Sequence, residues 1–133
     1  MGEKRLFALR AATQCLNESD DIARQTVKTY NELLAANNLV EEDIVSVIFS
    51  VTEDLDAKNP ATALREDGKA PKTALFVTRE AHFSGSLERV IRLLVHCYLD
   101  AAQLPIFVYR NGAEVLRQEK VISIEQLGIS NQG

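Results

Sequence analysis

The sequence lacks long apolar runs and has few cysteines. No apolar segment approaches the ~18 residues that span a bilayer, and the charged residues 1–5 lead into no signal-type apolar region, so a cytoplasmic location is expected. Cys15 and Cys97 lie far apart, outside any CxxC motif and without a histidine cluster around them. This spacing argues against a disulfide framework or a zinc site, and it predicts two reduced, packed thiols.

The chain also lacks the net basic charge of a typical nucleic-acid-binding protein. Its net charge is −4; residues 1–67 carry 7 basic and 13 acidic side chains, and residues 68–133 carry 8 basic and 6 acidic ones. The chain has nine arginines and six lysines. The planar guanidinium group of arginine can bind a carboxylate through two hydrogen bonds. The pattern disfavours nucleic acid as a partner and slightly favours a small anionic ligand near the second half.

Length and composition predict a single domain. The chain has 133 residues, of which 46% are hydrophobic and 26% charged, as is ordinary for a globular protein. We predict one domain over residues 1–120 and a C-terminal tail over 121–133, flexible or docked on a partner chain.

Apolar periodicity predicts the elements of the first half. A strand is expected over residues 6–13, then a helix that starts with a capping side chain within 17–21 and ends at Asn37-Asn38. A second strand is expected over residues 44–51. Pro60 suits the first position of a short helix that ends near Gly68.

The second half is predicted to contain a strand, a helix and a hairpin. The strand covers residues 73–77, and the helix covers residues 87–98, where apolar side chains recur at i, i+3, i+4 and i+7. Asn111-Gly112 predicts a hairpin between residues 105–110 and 113–118. In that hairpin Tyr109 pairs opposite Glu114 and shares its face with Leu116, whereas Arg117 lies on the opposite face.

The resulting order, β-α-β-(short α)-β-α-β-β, indicates an α+β fold in which helices cover one face of a sheet. The second face and the two edges of such a sheet need protection from solvent and from other strands. A symmetric oligomer with ligand sites between its subunits would provide it.

Three charged residues stand out as candidates for a binding site. Glu80 ends a predicted strand and Arg92 follows the turn Ser84-Gly85-Ser86, so the two could form the polar wall of a pocket. A surface salt bridge, or no contact at all, is the alternative. Arg10, flanked by alanines on the first strand, could grip a ligand or protect a sheet edge by its charge.

Four separated segments share one resemblance: the opening strand Leu9 to Thr13, the loop Ser50 to Ala57 with the following Pro60 to Glu66, the central stretch Arg79 to Arg92, and Val108-Tyr109 with Val115 to Arg117. Together they resemble the AroH-class chorismate mutases. The match covers about residues 5–118, in order and with the glutamate-to-arginine spacing preserved. The resemblance implies a homotrimer with a barrel-like core and three clefts at the subunit boundaries. It also implies the conversion of chorismate to prephenate, on the route to phenylalanine and tyrosine.

The resemblance also implies a role for individual residues. Arg10 would bind a substrate carboxylate, and Glu80 would accept a hydrogen bond from the ring hydroxyl. Arg92 would meet the ether oxygen and a carboxylate, and Tyr109 would contact the side-chain carboxylate. Other positions would line the same wall (Phe76, Val77, Thr78, Arg79), close the cleft from the neighbouring subunit (Asn59, Ala61, Thr62, Arg65), or lie at its mouth (Leu116, Arg117).

Three of these positions depart from the family's usual residues. Asn59 replaces an aromatic residue, Thr62 a lysine and Val77 a cysteine. Since these positions form the rim or wall of the cleft, the differences bear on affinity and closure more than on the chemistry.

The implied reaction is unimolecular and calls for no nucleophile, general base, metal or redox cofactor. A protein can accelerate it by fixing the reactive shape of the substrate and by placing positive charge where negative charge develops. Alternatives are a non-catalytic trimer that binds a small carboxylate, an imine-deaminase-type trimer, and a plain structural subunit.

Overall fold

The computed structural model describes residues 2–116, which form one sheet with two helices. The elements in chain order are β1 (Lys4–Gln14), α1 (Ser19–Ala36), a 3₁₀ turn (Glu41–Asp43), β2 (Ile44–Val51), α2 (Pro60–Glu66), β3 (Ala74–Arg79), β4 (Val90–Asp100) and β5 (Val108–Arg110). Within residues 2–116, no helix has both the length and the apolar character needed to cross a membrane.

The sheet is mixed, with strand order β3-β2-β4-β1-β5. The long central strand β4 pairs antiparallel with both β1 and β2, whereas β3 and β5 add parallel strands at the two edges. The predicted α+β fold with a mixed sheet is therefore confirmed.

Both helices pack on one face of this sheet. Alternate residues of the central strands, among them Leu9 and Val95, are fully buried on that face. They form one apolar cluster with Leu33 of α1 and Leu64 of α2. The alternation of strand side chains leaves the other residues of β1 and β4 on the opposite face, the helix-free face, which neither α1 nor α2 covers.

The helix predicted over residues 87–98 is wrong, because this segment contains β4. Its apolar residues satisfy a helical recurrence, but Ile91, Leu93, Val95, Cys97 and Leu99 are the buried set, which is a period of two. The other face of the strand mixes apolar residues such as Leu94 with polar ones such as Arg92 and His96. Such a run shows no clean alternation, and periodicity alone does not separate it from a buried helix.

The predicted hairpin around Asn111-Gly112 is also wrong. The chain does turn there, with φ of +56° and +107° at these two residues. The strand before the turn, however, pairs in parallel with β1, and residues 114–116 begin a helical turn. The expected pairing of Tyr109 with Glu114 is thus absent from the described residues, and Arg117 lies outside them, as does the predicted tail.

The remaining predictions are close to the structure. Strands β1 and β2, both helices and the end of α1 at Asn37 are confirmed, and β3 extends the predicted strand to Arg79. The cap of α1 differs, because Glu18 occupies the N-cap position without a side-chain hydrogen bond. Asn17 instead accepts hydrogen bonds from the backbone amides of Asp56 and Ala57.

The two cysteines are free and buried, as predicted. Burial is the main cause that raises the pKa of each thiol to about 11. Neither is therefore poised as a thiolate nucleophile.

Asn37 fastens the connection between β4 and β5 to the end of α1. Its side chain donates to the carbonyls of Leu33 and Ile106, both at 2.8 Å, and accepts from the amide of Ile106 at 2.8 Å. The Asn37 carbonyl accepts from Gln103 at 2.7 Å. Since Asn37 is only 1% exposed, these hydrogen bonds have little competition from water. They fix the segment that leads into β5.

We expect Asn37→Ala to lower the free energy of unfolding by about 2–3 kcal/mol, because the backbone groups of Leu33 and Ile106 lose three hydrogen bonds to a buried side chain. Urea denaturation measures the loss. Asn31→Ala, an exposed change on the same helix, should cost less than about 1 kcal/mol. Equal losses in the two variants would contradict this role for Asn37.

Candidate functional site

One row of side chains crosses the helix-free face from edge to edge. The sheet register pairs Tyr109 with Ala12, Ala12 with Arg92, Arg92 with Ser50, and Ser50 with Thr78. Directly opposed residues in a sheet point to the same face. The long side chain of Arg92 therefore lies between two short ones, which leaves room around its guanidinium group.

An open cavity of about 660 Å³ lies over the β5 side of this row. Four residues predicted for the site line it: Arg10, Arg92, Tyr109 and Leu116. The rest of its wall is mostly apolar or small and comprises Ala11, Ala12, Ile48, Ser50, Leu93 and Leu94. Two cations and a phenol around an apolar hollow are suited to a small, ring-shaped anion.

Glu80 and Arg92 form an ion pair; Arg92 lines this cavity, whereas Glu80 lines a second hollow of about 170 Å³. Arg92 donates from Nε to Glu80 Oε1 at 2.8 Å, and Ser50 donates from Oγ to the same oxygen at 2.9 Å. The Glu80 side chain is 14% exposed and that of Arg92 is 40% exposed. Within residues 2–116, neither Glu80 Oε2 nor the terminal nitrogens of Arg92 have a hydrogen-bond partner, so the pair retains an acceptor and donors for a ligand.

The loop between β3 and β4 is tied down at both ends. The amide of Glu80 donates to the carbonyl of Val51 at 2.9 Å. At the other end, the amide of Arg89 donates to both carboxylate oxygens of Asp54, and the amide of Val90 donates to Thr52 Oγ1 at 2.9 Å. These contacts fix where β4 begins and hence where Arg92 lies.

Arg10 and Tyr109 flank Arg92 across the cavity. Arg10 projects from β1 opposite Leu94, and its side chain has no ion pair or hydrogen bond to any other residue in the range 2–116. Tyr109 projects from β5 and packs with Ala12 and Leu116. Arg10 is therefore an uncompensated cation at the wall, which favours binding of an anion over the alternative of a paired structural charge.

The other predicted site residues lie around α2 and around β3, the edge strand farthest from β5. Phe76 is 65% exposed at that edge, and a separate hollow there is lined in part by Asn59, Val77, Thr78 and Arg79. Within one chain, none of these residues lines the 660 Å³ cavity. The structure thus separates the predicted residues into one set around Arg92 and another around β3 and α2, with Thr78 at the β3 end of the row that contains Arg92.

Three members of this second set make contacts that stabilise their own region. Asn59 caps α2 by accepting from the amides of Ala61 and Thr62 at 2.8 and 3.2 Å. Arg65 donates to the carbonyls of Ala70 and Thr73. Arg79 donates to the carbonyls of Thr52 and Leu55 at 2.9 and 3.2 Å. The capping bonds give Asn59 a structural function.

Sequence reasoning missed Ser50 as a site residue. Its importance follows from its pairing with Arg92 across β2 and β4, which the helix predicted over residues 87–98 concealed. The sequence did contain one indication that Ser50 belongs to the site: it is the first residue of Ser50 to Ala57, one of the four segments that carry the resemblance.

The comparisons with known proteins agree with this geometry. The family model described as chorismate mutase type I matches residues 6–120, and the chain belongs to this family. It is 41% identical over 90 residues to chorismate mutase AroH of Thermus thermophilus, a match that covers 66% of this chain and 73% of the relative.

A second curated relative is chorismate mutase AroH of Bacillus subtilis (strain 168), 28% identical over 113 residues, with 84% of this chain and 89% of the relative covered. A solved chorismate mutase from Clostridium thermocellum superposes with a TM-score of 0.75 at 41% identity and covers 82% of this chain and 98% of its own.

We expect Ser50→Ala to lower the free energy of unfolding by about 1–2 kcal/mol, because Glu80 loses one of two donors to a mostly buried oxygen. Ser46→Ala is the matched control, since Ser46 lies on the same strand and face but contacts His96 at 3.3 Å. In NMR spectra, the Nε–H signal of Arg92 should shift in the Ser50 variant and stay unchanged in the control. An unshifted signal in both would contradict the shared hydrogen bond.

Proposed function

We propose that the cavity between β5 and β2 is where this chain converts chorismate to prephenate. The chain is an isomerase of the chorismate mutase family, and the ion pair between Glu80 and Arg92 at the cavity is the observation that carries this placement. A fixed guanidinium beside a fixed carboxylate suits a substrate that carries both carboxylates and a hydroxyl group.

In this proposal, Arg92 acts on the charge that develops during the reaction. As the C–O bond of the substrate breaks, negative charge grows on the ether oxygen. Glu80 holds Arg92 through Nε, so the terminal nitrogens are preset to donate to that oxygen at no further cost of reorganisation. Ser50 and Arg92 occupy Glu80 Oε1, which leaves Oε2 as the acceptor for the ring hydroxyl of the substrate.

Arg10 and Tyr109 would hold the substrate in its compact, chair-like shape. Both lie at the wall of the same cavity as Arg92, and each can donate to a carboxylate. Fixing the two reacting ends of one molecule converts binding energy into orientation. The chemistry itself needs no covalent contact with the protein and no cofactor.

We further propose that the active assembly is a homotrimer. In the single chain, apolar side chains on the helix-free face are exposed to solvent: Leu6 is 48% exposed, Tyr98 45% and Phe76 65%. The edge group around Asn59, Thr62, Arg65 and Phe76 would then close the cleft of a neighbouring subunit. Both the exposed face and the separation of the two residue sets support this arrangement.

The proposal also retains one domain over residues 1–120, which the family match to residues 6–120 supports. The cytoplasmic location expected from the sequence stays a prediction.

The direct test is the loss of chorismate absorbance on addition of the purified protein, with prephenate identified as the product. An initial rate that increases in proportion to the protein concentration supports catalysis. Saturable binding of chorismate without turnover would instead favour the non-catalytic carboxylate-binding alternative.

We expect Arg92→Gln to lower kcat by about 10²–10³ or more, the scale of losing one preorganised donor in a transition state. Arg92→Lys should recover only part of the rate, because it keeps the charge but loses the planar fork. Arg24→Gln, which removes an exposed arginine of α1, is the control and should retain full activity. Near-normal turnover in Arg92→Gln would reject the role assigned to this residue.

The native mass should be about three times the 14.8 kDa of one chain. Phe76→Glu should shift the mass downward and reduce activity, because it places charge in the proposed subunit boundary. Asn31→Asp, an exposed change on α1 that also adds one negative charge, controls for a general effect of altered surface charge. A monomer with full activity would contradict the trimer.

A further inference from the structure

Strand β5 carries Tyr109 but is weakly attached to the sheet. It has three residues, and within residues 2–116 it pairs only with the end of β1, through Ala11, Ala12 and Thr13. Such a short edge strand has few backbone hydrogen bonds to hold its register. Something besides the sheet must fix the position of Tyr109.

Arg110 supplies one attachment, on the face opposite the cavity. Its Nη1 donates to Gln25 Oε1 at 3.0 Å and to Thr29 Oγ1 at 3.1 Å, and its Nε lies 3.2 Å from Glu32 Oε1. The three partners lie on successive turns of α1. The Arg110 side chain is 17% exposed, so these contacts are largely protected from water.

Asn111 supplies a second attachment. Its Nδ2 donates to Thr13 Oγ1 at 3.0 Å and to Gln25 Oε1 at 2.9 Å. Thr13 is fully buried, and Gln25 is itself held by Asp21 at 3.1 Å. Asn111 thus joins β1, β5 and α1 at one point, and its φ of +56° is a conformation that asparagine tolerates.

Gly112 completes the arrangement. Its φ of +107° is not accessible to other residues without strain, and a Cβ atom there would collide with the side chain of Gln14. The atoms that such a Cβ would meet belong to the flexible end of Gln14, so the positive φ is the stronger requirement for glycine at this turn, which leads to Leu116 at the cavity.

We propose that Arg110 and Asn111 form a clamp that positions Tyr109 for substrate capture. The inference rests on the proposed function, in which Tyr109 grips a substrate carboxylate. Neither clamp residue faces the cavity; each acts through the strand that carries Tyr109. The clamp therefore governs the binding of substrate, whereas Ser50 and Glu80 govern the position of Arg92 and hence the chemical step.

This division predicts a split between kinetic constants. Arg110→Gln should raise KM about fivefold to tenfold while kcat changes less than about twofold, because the contact that it weakens is made equally in the ground and transition states. Arg110→Lys, which keeps the charge near Glu32 but not the fork, should give an intermediate KM. Lys28→Gln, which removes an exposed cation from the same helix, is the matched control and should leave both constants unchanged.

Hydrogen exchange provides a readout that does not depend on activity. The amides of residues 108–110 should exchange faster in Arg110→Gln than in the parent or in Lys28→Gln, because local opening of β5 becomes easier. Asn111→Gly keeps the positive φ without strain and removes only the side chain, so it tests the same clamp if Arg110→Gln does not fold.

The outcomes separate the clamp from the proposed function. Unchanged exchange at residues 108–110 in both Arg110→Gln and Asn111→Gly overturns the clamp, whatever the activity. Faster exchange with an unchanged KM overturns its role in substrate capture. An unchanged KM in Tyr109→Phe would instead show that Tyr109 is wrongly assigned in the proposed function, even where the exchange data uphold the clamp.

Discussion

The site depends on one carboxylate oxygen that receives two hydrogen bonds. Glu80 Oε1 binds Ser50 of β2 and Arg92 of β4, and Glu80 itself stands at the end of β3. Three chain segments thus meet at a single atom. Because that carboxylate is mostly shielded from water, its attraction for the guanidinium group is screened less than at an open surface. The resulting rigidity allows an arginine, whose side chain has many rotamers, to act as a fixed charge.

The remainder of the fold serves to keep this arrangement in place. Backbone bonds tie the loop between β3 and β4 to β2 and to Asp54, so Glu80 and Arg92 approach each other from fixed ends. Asn37 and Arg110 fasten the other side of the sheet to α1, on the face away from the cavity. One face of the sheet therefore provides stability and the other provides chemistry, and β1 and β4 contribute alternate residues to both.

Local sequence signals predicted much of the fold but missed its centre. β1, α1, β2 and α2 have clear patterns or capping residues, and each forms near its predicted bounds. β4 was taken for a helix because a central strand with apolar residues on both faces lacks the alternation that identifies a strand. β5 was missed as a partner of β1 because that parallel pairing joins residues almost a hundred positions apart, whereas Asn111-Gly112 is a strong local signal.

Arg10, Glu80, Arg92 and Tyr109 were selected by family resemblance, which does not require the right secondary structure. Ser50 needed the β2–β4 register, because its place in the resembling segment Ser50 to Ala57 does not by itself give it a role.

The position of Arg92 on a central strand limits how this protein can diverge. Loss or gain of one residue within β4 would exchange its two faces, placing Leu93 over the cavity and the guanidinium group among the core side chains of α1 and α2. Neighbouring strands pair with both edges of β4, so neither could absorb the shift by sliding alone. Length variation in the lineage should therefore concentrate in the stretch between Ala81 and Glu88, while β4 itself changes by substitution at constant length.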